Sequence, residues 1–210
     1  MPTGALFLST GGDDMPILAL LLLGVAALQR RAATTAGVSL GLAAAMKLTA
    51  WPMAFGALLV ARDKKDRPAW RRVALWITCI VVVTVTPFVL KAPWAFFSNV
   101  FAFPLGLAHV ASPAASALPG HILTTWWPPL GHVLAPLALL VGGYYVAKYA
   151  KRHWPLTLSQ LLAILSLVFL VLMCVASATR IGYVIYPINF ALWSWVCRDD
   201  QSAALETVAL

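Results

Sequence analysis

Two adjacent carboxylates, Asp13 and Asp14, stand behind Gly11 and Gly12 and just ahead of Pro16, at the head of an apolar run. A carboxylate so placed can take a proton from an acceptor hydroxyl or orient the molecule that carries it. It can equally cap the helix that Pro16 opens, where negative charge suits the helix dipole. Lys47 lies between two apolar half-segments. An ammonium there must reach water, pair with an anion or lose its charge. Snorkelling of its stem is one reading, and binding of a phosphate oxygen is the other. Arg180 begins the run Arg180-Ile181-Gly182-Tyr183, with Tyr183 and Pro187 at i+3 and i+7 on one helical face. Its guanidinium suits bidentate contact with phosphate, and an interfacial anchor is the plainer role. Tyr183, Tyr186, His121 and Lys91 complete the polar set expected around the same cleft. The histidines have no helical pair spacing, so neither a metal site nor a cofactor is signalled.

These groups are conspicuous because so little around them is charged. Of 210 residues, 61% are hydrophobic and 10% charged, against roughly 45–50% and about 25% in soluble domains. The expectation is an all-α fold, a polytopic transmembrane helical bundle in one domain over residues 1–210. An ionisable group at the centre of a membrane helix costs roughly 2.5–3.5 kcal/mol on insertion scales, which makes each of those above a functional candidate. The net charge of +8 does not argue for nucleic acid, because the bases form short clusters between apolar runs, as in cytoplasmic membrane loops. Cys79, Cys174 and Cys197 stand singly within or at the edges of apolar segments and read as core filler.

Spans are expected near 16–29, 73–90, 130–147, 157–178 and 181–197. The run 32–61 would extend roughly 45 Å as a single helix, too long for a hydrocarbon core of about 30 Å. Lys47 and Pro52 interrupt it, and bases flank both ends, so it is read as a helical hairpin turning near Lys47 to Trp51. Gly37, Gly41 and Ala45 offer that hairpin a small-residue packing face. With this threading Arg30, Arg31, six bases from Arg62 to Arg72, Lys148, Lys151, Arg152 and Arg198 share the cytoplasmic side. Lys47, Lys91 and Arg180 face outward. A single tilted span over 32–61 is the competing arrangement. Between the spans, 92–129 is the one long outer loop. Its start alternates Trp94, Phe97 and Phe101 with Ala95, Ser98, Asn99 and Ala102, an amphipathic helix that would lie on the membrane surface.

Four stretches in order, GGDDMPILALLLLG, GLAAAMKLTAWPMA, NVFAFPLGLAHVASPAASALPGH and ATRIGYVIYP, resemble the C-terminal half of bacterial membrane glycosyltransferases of family 87, within the GT-C superfamily. The resemblance implies a plasma-membrane hexosyltransferase that moves a sugar, typically mannose, from a polyprenyl phosphate carrier to a glycan, glycolipid or protein acceptor outside the cell. It implies inversion at the anomeric carbon, with Asp13 or Asp14 serving the acceptor and Lys47 and Arg180 holding the lipid phosphate. Members of the family are much longer, and GT-C enzymes carry their decisive carboxylate on a first outer loop. This chain is therefore expected to be a piece that needs another half. Two other functions fit the same residues. The interrupted segment at Lys47 is also a transporter or flippase feature, and a non-catalytic membrane subunit would need no first loop at all.

Overall fold

The computed structural model describes residues 14–60, 67–103, 107, 118–176 and 181–209. Asp13 and Arg180 lie outside the described residues. Every element among the described residues is helical. In chain order they are α1 (Met15–Gln29), α2 (Ala33–Met46), a 3-10 turn (Leu48–Ala50), α3 (Trp51–Val60), α4 (Arg67–Lys91) and α5 (Pro93–Phe97). A π-helical turn (Ser98–Ala102) continues α5, followed by α6 (Pro119–Trp126), a 3-10 turn (Pro128–His132), α7 (Leu134–Arg152) and α8 (Leu158–Val175). A last 3-10 turn (Ile181–Val184) leads into α9 (Ile185–Ala209).

Prolines mark most of the helix starts. Pro16, Pro52, Pro68, Pro93, Pro119, Pro136 and Pro187 all fall within the first turn of a helix, where a missing N–H costs nothing. Further inside a helix the ring would strike the carbonyl four residues back. Pro52 thus disfavours a regular helix running on through Leu48, a cost that α4 bears at Pro87, and the chain breaks at Lys47, which is extended at φ −156° and ψ 140°. Where no proline serves, α8 opens on a capping box. The Gln160 N–H donates to Thr157 Oγ1 at 3.2 Å, and the Thr157 N–H donates to Gln160 Oε1 at 3.0 Å.

The turn from α1 to α2 is tight and ends in a Schellman motif. Ala32 N–H reaches Ala27 O at 2.8 Å and Arg31 N–H reaches Leu28 O at 3.1 Å. Arg31 takes the left-handed position there, φ 55°, that glycine usually fills. That geometry costs an L-residue roughly 1–2 kcal/mol.

Close glycine contacts fix the directions of the helices. Gly24 of α1 meets Leu40 of α2, so these two run antiparallel. Gly37 meets Val73 and Trp76, and Gly41 meets Ile77 and Ile80, so α2 and α4 run in the same direction. The chain must therefore come back along α3 before α4 begins, and the short pair α2 and α3 enters and returns. Gly56 of α3 packs on Leu161 near the start of α8, and Ser159 bonds Ser194 while Phe169 stacks on Tyr186, which sets α9 antiparallel to α8. The core sits where these six helices meet, around Leu21, Leu40, Met53, Val73, Leu162 and Tyr186, all fully buried.

Two ends of the bundle result. Asp14, Lys47, Lys91 and Tyr186 gather at one end, while Arg30, Arg31, Arg71, Arg72, Lys151, Arg152 and Arg198 occupy the other. Among the described residues, three helical stretches, Pro68–Lys91, Pro128–Arg152 and Leu158–Val175, are long and apolar enough to cross a membrane. The first two turn Val83, Phe88, Leu90 and Leu140 outward, which suits lipid and not water. At the Asp14 end, the Phe101 ring meets Trp51 edge-on at 5.9 Å and seats the α5 segment over the start of α3.

A Cβ on Gly37 would come within 2.9 Å of Trp76 Cβ and 3.0 Å of the Val73 carbonyl oxygen, whereas Gly142 of α7 has no neighbour within 4 Å. Gly37→Val should cost about 1–3 kcal/mol by overpacking the α2–α4 contact. Gly142→Ala should be neutral or stabilising by about 0.5 kcal/mol. Unfolding midpoints in detergent micelles check both, and equal midpoints for the two variants would contradict the close approach.

Candidate functional site

Asp14, Lys47, Thr49, Tyr183 and Tyr186 form one polar cluster at the end of the bundle opposite the arginines. Asp14 immediately precedes α1, its carbonyl accepting from Leu18 N–H at 2.9 Å. Its side chain makes no capping hydrogen bond. The capping role that the sequence allows is thus not the one adopted, and the carboxylate turns away from its own helix. Lys47 Nζ lies 2.6 Å from Asp14 Oδ1. The Tyr186 hydroxyl donates to the same oxygen, also at 2.6 Å. Thr49 Oγ1 in turn donates to the Tyr186 hydroxyl oxygen at 3.0 Å. The Tyr183 ring lies below the ammonium, 5.1 Å from Nζ to the centroid, a distance at which the ring quadrupole attracts a cation.

Each arm of the cluster has a local cause. The extended residue at 47 ends α2 and leaves its last carbonyls without helical partners. The Trp51 indole N–H satisfies one of them, donating to Ala44 O at 2.9 Å. That bond ties the 3-10 turn back onto α2 and holds Thr49 in place. Pro187 plays the part in α9 that Pro52 plays in α3, because its ring disfavours a regular helix through Tyr183 four residues before it. The chain accordingly winds as a 3-10 turn from Ile181 to Val184 and as an α-helix from Ile185. Tyr183 and Tyr186, three residues apart, come to face the same group.

Burial decides how strong these contacts are. The side chains of Asp14 and Lys47 keep only 14% and 23% of their surface exposed, and Tyr186 is fully buried, stacked on Phe169 at 5.4 Å. A shielded charge is tolerated when it is paired and hydrogen-bonded. Lys47 accordingly reaches a carboxylate. The sequence assigns Asp14 to an acceptor and Lys47 to a phosphate as separate groups, whereas the structure brings them into direct contact. His121 sits on α6, where its backbone carbonyl accepts from Thr124 and Thr125, and Lys91 is exposed at the end of α4. Neither is among the contacts of Asp14. Thr49 is the member that sequence reasoning passed over. Its signal was the pair Lys47 and Pro52, which requires a break whose turn residues point away from the helix face.

The sequence model of glycosyltransferase family 87 matches residues 3–178. Asp14, Lys47 and Thr49 fall inside that stretch, and Tyr183 and Tyr186 follow it. No curated protein and no solved structure matches the chain.

Removing one partner of a shielded pair takes a favourable contact from the charge that stays. Lys47→Met and Asp14→Asn should each lower stability by about 1–3 kcal/mol. The double variant should cost less than the sum by about 1 kcal/mol or more. Thermal unfolding of the four proteins in one detergent checks this, and strictly additive losses would contradict the pairing.

Proposed function

Because the chain belongs to glycosyltransferase family 87, a family of membrane glycosyltransferases, we propose that it serves transfer of a hexose, mannose foremost, from a polyprenyl phosphate donor to an extracytoplasmic glycan, glycolipid or protein. The observation that carries this reading is the contact of Asp14 with both Lys47 and Tyr186 at the end of the bundle remote from the arginines. The positive-inside rule puts an arginine-rich end in the cytoplasm, so the cluster would face the outer surface of the plasma membrane. That is the side on which a flipped lipid-linked sugar and its acceptor would meet.

The chemistry follows from the groups present. Asp14 Oδ2, which makes neither of the described contacts, takes the proton of the acceptor hydroxyl. The hydroxyl oxygen attacks the anomeric carbon from the face opposite the phosphate, the bond from that carbon to the phosphate oxygen breaks, and the configuration inverts. Negative charge grows on the departing polyprenyl phosphate. An ammonium carries three donors, so Lys47 can serve the carboxylate and a phosphate oxygen from one position. Arg180, three residues before Tyr183, supplies the second cation of the phosphate clamp. The lipid-linked sugar is a co-substrate, and the reaction as written calls for no organic cofactor.

In membranes supplied with a polyprenyl-phosphate mannose donor, Asp14→Asn and Lys47→Ala should each lower turnover roughly 10²-fold or more. Undiminished transfer in both would remove the proposed centre. Flux of the lipid-linked sugar across proteoliposomes with no transfer product would instead favour a transporter, the reading that the interrupted helix at Lys47 supports.

A further inference from the structure

We infer that Thr49 and Tyr186 are positioning residues for Asp14, a chain of two hydroxyls that fixes which carboxylate oxygen is offered to the acceptor; this rests on the reading of Asp14 as the base. A carboxylate only accepts hydrogen bonds. The single proton of Tyr186 must then lie toward Asp14 Oδ1, and the phenol oxygen is left to accept from Thr49. The chain therefore has one direction, from Thr49 through Tyr186 to Asp14. Asp14 sets it, and Thr49 completes it by donating to the phenol oxygen whose proton is already committed to the carboxylate.

The need for such a chain comes from the softness of the aspartate side chain. Its last torsion is broad and roughly two-fold, so a carboxylate held by one flexible lysine could present either oxygen. Tyr186 removes that freedom. Its ring is fully buried, stacked on Phe169 at 5.4 Å and tilted against Phe190 at 6.4 Å, so its hydroxyl is a fixed point. Oδ1 then receives the ammonium and the phenol together, and Oδ2 takes part in neither bond.

The break in α2 acquires a purpose on this view. In an unbroken helix residues 47 and 49 would project about 200° apart around the axis. The extended residue at 47 and the 3-10 turn after it, pinned by Trp51 to Ala44 O, let both address the same carboxylate. Lys47 does so directly, and Thr49 does so through Tyr186.

The test uses the full chain in proteoliposomes with a polyprenyl-phosphate mannose donor. Thr49→Val keeps the branched shape and loses only the hydroxyl, and it should lower kcat about tenfold with the donor KM changed less than about twofold. Thr49→Ser should recover most of that rate. In a Tyr186→Phe background Thr49→Val should add nothing, since the chain is already cut. Independently of turnover, the infrared carboxylate band of Asp14, identified by its loss in Asp14→Asn, should shift in Thr49→Val and return in Thr49→Ser. An unshifted band, an undiminished kcat, or additive losses in the Tyr186→Phe background would overturn the positioning role while an inactive Asp14→Asn leaves the base in place. Full turnover by Asp14→Asn would overturn the base itself.

Discussion

A single oxygen, Oδ1 of Asp14, accepts a proton donor from each of two distant parts of the chain, the ammonium of Lys47 and the phenol of Tyr186. Within an apolar bundle an unpartnered carboxylate or ammonium would be costly enough to distort the structure around it. Paired and further bonded by a buried hydroxyl, the same charges become tolerable. The contact also couples the packing of α1 on α2 to the packing of α8 on α9, since Tyr186 is locked to Phe169 and Phe190 on its other side. Polar chemistry and helix packing thus meet at the same few atoms.

Proline supplies the local geometry. The three arms of the cluster all sit at helix starts marked by Pro16, Pro52 and Pro187. At such starts the chain leaves helical geometry for one to four residues, and side chains are no longer confined to a stripe along a cylinder. Lys47 with Thr49, and Tyr183 with Tyr186, exploit that freedom to converge on one point. The opposite end of the bundle is basic. There the tight turn through Arg31, in a strained left-handed geometry, keeps Arg30 and Arg31 exposed at the same end as Arg71, Arg72 and Arg152.

Much of the fold was legible in the sequence. Long apolar runs with flanking bases dictate helices, and the all-α architecture follows from the lack of any other way to satisfy a backbone in lipid. The interruption at Lys47 was legible because Lys47 and Pro52 break an apolar run too long for one span. Gly37 and Gly41 could be read as a packing face, and they press against α4. The site was legible only as a set of polar residues on one side. Its pairings were not, because Asp14 is 33 residues from Lys47 and 172 from Tyr186, and nothing in local spacing joins them. Asp14 also has a sound local role as a helix cap, and the tertiary partners displace it. Thr49 was missed for a similar reason, since a threonine two residues past a lysine lies on the opposite face of any regular helix.

Family membership gives this cluster its chemical setting, and the geometry gives it an internal logic in which base and cation are held as a unit. The most direct measurement of that unit is the distance from the Asp14 carboxyl carbon to Lys47 Nζ, by carbon–nitrogen dipolar recoupling on isotopically labelled protein in lipid bilayers, with Lys47→Met identifying the signal. A separation within about 4 Å is predicted, as for any formed ion pair. Absence of coupling between the two nuclei in the folded protein would contradict the contact on which the site is built.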